Sequence, residues 1–119
     1  MKRKQNKAPL RRIFELQCQI CKAMAHPLRL EIVDLMQEDE VSAAALLADI
    51  GTSKANLSKH MTQLVQAGIA DQRRDGRQVF YRLTHPEIHE ACNIMRNILI
   101  RRIRKEEQLA AKLITPGRR

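Results

Sequence analysis

A chain of 119 residues has room for one domain, since a second hydrophobic core would need more material. Its hydrophobic residues make up 44% of the chain but its aromatics only 3%, with no Trp, which points to a core of Leu, Ile, Ala, Met and Val carried on helices. The 22 Lys and Arg against 13 Asp and Glu leave a formal charge of +9, an excess that either attracts polyanions, nucleic acid first among them, or merely solubilises the surface.

Lys2, Arg3, Lys4, Lys7, Arg11 and Arg12 all precede the first acidic residue, Glu15, and residues 1–9 carry almost nothing apolar. A flexible basic arm is expected over 1–9, one domain over 10–114 and a short tail over 115–119. From 10 to 24, Ile13, Leu16, Ile20 and Met24, flanked by Phe14, Cys18 and Cys21, recur at helical spacing and predict a first helix with a wide apolar stripe. Pro27 interrupts it. Leu28, Ile32, Leu35 and Met36 then mark a second helix, which ends at the acidic stretch 37–40. Ser42 can cap a short third helix through Asp49, Gly51 suits a tight turn, and Ser53 reads as the N-cap of a fourth helix. In that fourth helix Leu57, Met61, Leu64 and Val65 form the inward stripe, and Lys54, Ser58, Lys59 and Thr62 lie on the opposite side. Gly68 closes it. Two strands are expected at 69–73 and 78–83, joined through Asp75-Gly76 in a type I′ hairpin turn. Beyond Pro86, the apolar positions Ile88, Cys92, Met95, Leu99 and Ile103 predict a final helix to about Leu113. That helix is longer than one small core can cover, so it is expected to pair with the first helix across a dimer interface.

Helix, Gly turn, helix with a polar outer face, then a two-stranded hairpin with an Arg-rich tip: this order describes a mainly α winged helix-turn-helix with a small β-hairpin. The turn sets the second helix at a steep angle for entry into the DNA major groove, and the helix end at Ser53 can meet a phosphate. Lys54, Asn56, Ser58 and Lys59 are the candidate groove readers. Arg73, Arg74 and Arg77 in the hairpin would reach the backbone or an adjacent minor groove. Taken singly, an exposed Lys54 or Lys59 could be no more than solvated; it is the combination on a +9 chain that points to double-stranded DNA.

Over residues 23–83 the sequence resembles the ArsR/SmtB family of metal-sensing and redox-sensing repressors. The resemblance is carried by Ala23-Met24-Ala25-His26-Pro27-Leu28-Arg29-Leu30-Glu31-Ile32, by Gly51-Thr52-Ser53 through Leu57-Ser58-Lys59-His60-Met61, and by Asp75-Gly76-Arg77-Gln78-Val79-Phe80-Tyr81-Arg82-Leu83. It implies a homodimer joined by its first and last helices, which leaves its operator when an effector binds. The thiol pair that arsenic-type members carry at the start of the third helix falls on Ser42 and Ala44 here. The zinc ligands of other members fall on His85, Glu87, Ile98 and Arg101, of which Ile98 and Arg101 cannot ligate zinc. His85 and His89 are four apart, but Pro86 places His85 at the helix entrance and no third ligand is near. His26 and His60 fall on family positions that read as structural or DNA-proximal, each a satisfied polar histidine.

Cys18 and Cys21 are three apart and share one face of the first helix, and Cys92 lies on the last helix. They are either small apolar residues at an interface or an effector site, in which thiolates bind a soft metal or metalloid ion or form a disulfide. Three cysteines are too few, and odd in number, for a secreted disulfide framework, and no apolar run approaches the roughly 18 residues needed to span a bilayer. A cytoplasmic protein is therefore expected. No catalytic residues are identified, and no Ser-His-Asp order, phosphate loop or paired carboxylate suggests an enzyme. The metal, if any, is left open. The competing reading is a winged-helix module for protein or RNA with structural cysteines.

Overall fold

The computed structural model describes residues 7–37 and 39–114. In chain order the elements are α1 (Lys7–Met24), α2 (Pro27–Leu35), β1 (Val41–Ser42), α3 (Ala43–Ile50), α4 (Lys54–Gln66), β2 (Ala70–Asp75), β3 (Gln78–Leu83) and α5 (Glu87–Ile114). Residues 1–6 of the expected arm and the expected tail at 115–119 lie outside the described residues. Lys7, Ala8 and Pro9, also assigned to the arm, form the first turn of α1 instead. A proline is tolerated there because the first N–H groups of a helix have no intrahelical acceptor.

Each break between helices has a local cause. His26 caps α2, its Nδ1 accepting a hydrogen bond from the Leu28 N–H at 3.0 Å, and Pro27 supplies a preset φ at the first helical position. Ser42 and Ser53 cap α3 and α4 in the same way, through Ala45 and Asn56. Gly51 ends α3 at φ 75°, a left-handed conformation that a side chain would strain.

The sheet is antiparallel with strand order β1-β3-β2. The short β1, not expected from the sequence, pairs Val41 with Tyr81 and Ser42 with Phe80. Asp75 pairs with Gln78, so the hairpin loop is Gly76-Arg77. Gly76 has φ 62° and no residue other than glycine has positive φ among the described residues. This corrects the type I′ expectation, since I′ needs positive φ at both loop residues; Gly at the first position alone is the II′ pattern.

The chain divides into two compact units, with the break between His89 and Glu90 inside α5. In the first unit Ile32 and Val33 from α2, Met36 at its C-cap, Leu46 from α3, and Leu57, Met61 and Leu64 from α4 pack into one core with Ile69, Ala70, Tyr81 and Leu83. Asp34 and His89 meet at 3.2 Å and fasten the first turn of α5 to α2. The apolar stripe of α1 is open, with Ile13 56% and Phe14 63% exposed. In the second unit Ile94, Met95, Ile98, Leu99 and Ile103 are exposed along α5.

Candidate nucleic-acid interface

The α3–turn–α4 pair is built from the residues that cap it. Ser53 Oγ accepts from the Asn56 N–H at 3.0 Å, and Asn56 Nδ2 donates to Thr52 Oγ1 at 2.9 Å, which ties the turn to the first coil of α4. Leu57, His60, Met61 and Leu64 are buried, and this inward grip turns Lys54, Ser58, Lys59 and Thr62 to the surface. Ser53 and Asn56 are thus partly committed to holding the helix end, with the Ser53 hydroxyl hydrogen left to donate.

Lys54, Ser58 and Thr62, one turn apart, line a cleft of about 570 Å³ whose other wall is the hairpin, with Arg74, Arg77 and Tyr81. Strand alternation decides which arginines reach it. Arg74 sits opposite Val79 and shares its face with Gln72 and Tyr81, whereas Arg73 sits opposite Phe80 on the other face of the sheet. There Arg73 donates from Nε and a terminal nitrogen to the two carboxylate oxygens of Glu40, at 2.7 and 2.8 Å, and its guanidinium lies 4.5 Å from the Phe80 ring centre. These hydrogen bonds hold the Glu40 carboxyl below the usual carboxylate range. Of the three arginines read together from the sequence, Arg74 and Arg77 line the cleft with α4 and Arg73 braces the hairpin against the segment before β1.

Asn56 and Lys59 line the opposite flank of α4, facing Arg29 of α2 and its N-cap His26. The sequence reading missed Arg29, because nothing in its own segment distinguishes it from a solvated helix cation. His60 also departs from the expected satisfied histidine: it is 7% exposed, its Nδ1 has no hydrogen-bond partner among the described residues, and its ring stands 4.4 Å from that of His26. Burial first, then the charges of His26, Arg29 and Lys59, push its pKa down.

Cys18 and Cys21 are exposed on α1, and Cys92 is half-buried on α5 in the second unit. Among the described residues no three His, Cys, Asp or Glu side chains gather so as to hold a metal ion, and no helix is long and apolar enough to cross a membrane.

A polar helix set across a short turn, with a basic hairpin beside it, defines a winged helix-turn-helix protein built to meet DNA. Comparison with known proteins agrees. A family model described as a helix-turn-helix domain matches residues 24–73. An uncharacterized HTH-type transcriptional regulator of Mycobacterium tuberculosis is 34% identical over 90 residues, 75% of this chain and 79% of that protein. The crystal structure of the transcriptional repressor BigR from Xylella fastidiosa superposes with a TM-score of 0.68 at 29% identity, covering 78% of this chain and 95% of that one. A homodimeric winged helix-turn-helix DNA-binding domain from Mycobacterium bovis has the same fold, with a TM-score of 0.68 at 20% identity over 87% of this chain and 90% of that one. The chain belongs to the ArsR/SmtB-type winged helix-turn-helix transcriptional regulators, a family of DNA-binding proteins rather than enzymes.

Proposed function

We propose that the protein is a dimeric repressor that binds an inverted-repeat operator through α4 and the hairpin and leaves it when its thiols are modified. The observation that carries the DNA reading is the cleft in which Lys54, Ser58 and Thr62 face Arg74 and Arg77. Lys54 and Ser58 read base edges, Lys59 lies on the other flank of the same helix, and Arg77 at the hairpin tip adds affinity through the backbone. The dimer reading is supported by the apolar residues left exposed on α1 and, separately, on α5. Cys18 and Cys21, exposed on a helix assigned to that interface, suit a soft metal or metalloid ion, or an oxidant, as effector. A metal would draw its remaining ligands from the second copy.

A footprint on the promoter of the protein's own gene tests this. Two protected half-sites about one DNA turn apart, roughly 34–36 Å, are expected. Lys54→Ala should narrow the gap between operator and random DNA, and Arg77→Ala should weaken both alike. Absence of any protected site overturns the DNA reading. Operator release by arsenite, Cd²⁺ or an oxidant that persists in a Cys18→Ser/Cys21→Ser variant overturns the thiol reading alone.

A further inference from the structure

Opposite the hairpin cleft, α4 borders a second hollow of about 500 Å³, lined by His26, Arg29, Asn56, Lys59, His60 and Gln63. Its charges are of one sign: among the described residues Arg29 and Lys59 line it and no carboxylate does. An adjoining hollow that shares Arg29 and Gln63 adds Lys22, again without a carboxylate. The N-terminus of α2, the positive end of its dipole, opens at the same place through the His26 cap.

Two buried polar atoms of the lining residues have no hydrogen-bond partner among the described residues, Arg29 Nε and His60 Nδ1. A guanidinium cannot lose its proton, so its buried N–H requires an acceptor. His60, more than nine-tenths buried and lining the same hollow, can offer a second N–H through its Nδ1 tautomer. A cation is repelled here and an apolar ligand would leave both atoms unpaired. A tetrahedral oxyanion suits this lining, because Arg and Lys favour it electrostatically and its oxygens accept hydrogen bonds from whichever N–H groups turn toward it.

We propose that this hollow is a phosphate site, in which Arg29 and Lys59 hold one phosphate group at the N-terminus of α2 and His60 donates to it from below. The group comes from a phosphodiester of duplex DNA or from a free phosphate ion. The first source rests on the DNA-binding reading above: with α4 in a major groove about 12 Å wide, Arg74 and Arg77 on one flank and Arg29 and Lys59 on the other would each meet one of the two backbones.

Two measurements on the full chain test the site. The first follows the ring resonances of His26 and His60 by NMR as sodium phosphate replaces sodium chloride at fixed pH and ionic strength. A saturable shift is expected, lost in Arg29→Ala. The second measures random-sequence duplex affinity by anisotropy from about 50 to 200 mM salt. Arg29→Ala should lower the salt slope by about 0.9, the loss of one phosphate contact, and Arg29→Lys, which keeps the charge and guards against misfolding, should retain most of it. A lowered slope assigns the phosphodiester, whether or not free phosphate also shifts the rings. A ring shift with an unchanged slope assigns the free ion. Rings that respond to phosphate no more than to chloride, together with an unchanged slope, overturn the site. If wild type binds no duplex while the phosphate shift persists, the DNA reading falls and the site stands.

Discussion

Arg73 and Arg74 are neighbours in sequence with opposite assignments. The two-residue period of a strand sends Arg74 toward α4 and Arg73 to the far face, where Glu40 takes its guanidinium through two hydrogen bonds. Arg74→Ala should therefore reduce duplex affinity and the salt slope more than Arg73→Ala does, read by anisotropy; equal losses would mean that Glu40 releases Arg73 on DNA. His60 offers a second test, in pH. Its pKa lies below the ordinary histidine value because of burial and of His26, Arg29 and Lys59 around it. Between that lowered pKa and about 6.5 the unfolded chain binds the proton more readily, so stability is retained above pH 6.5 and lost as pH falls through the window. Urea midpoints should drop across this range in wild type and show a shallower dependence in His60→Gln. An unchanged dependence would place the titration on another group.

At the scale of elements, the caps decide where α4 begins and how the hairpin turns. Ser53→Ala removes the acceptor for the Asn56 N–H and should cost about 0.5–2 kcal/mol, read as a lower urea midpoint at constant slope. At Gly76 a Cβ would meet nothing within 4 Å, so the penalty of Gly76→Ala is that of backbone conformation alone, roughly 1–2 kcal/mol at φ 62°. Arg77 follows directly in the loop, and the same substitution should weaken DNA binding by re-aiming it. If duplex affinity is unaffected, the hairpin tip does not touch DNA.

For the whole molecule, the exposed stripe of α1 is the feature that calls for a partner. Leu10, Ile13, Phe14, Leu16 and Ile20 are all exposed on α1, and contiguous apolar surface of this kind marks an interaction site. If a second copy covers it, sedimentation at micromolar concentration should report a dimer in wild type and a monomer in Phe14→Glu, and operator affinity should fall with dimerisation. A wild-type monomer would remove the dimer from the proposed function and leave the DNA cleft of each chain intact.

Local chemistry determined the helices, their caps and the order of elements. Ser42, Gly51, Ser53 and the apolar periods act through the backbone within three or four residues, so their effects are written where they stand. The inward stripe of α4 was legible for the same reason, and the family match extends it. Tertiary structure alone decided what depends on segments far apart in the chain. The strand at Val41–Ser42 is too short to show a period and exists because β3 offers it an edge. The pairing of Asp75 with Gln78 moved the turn by one residue, since register is set by the whole ladder. Glu40 and Arg73 lie 33 positions apart, and the hollow joining Arg29 to Lys59 and His60 forms only when α2 packs on α4, which no spacing within either helix could express.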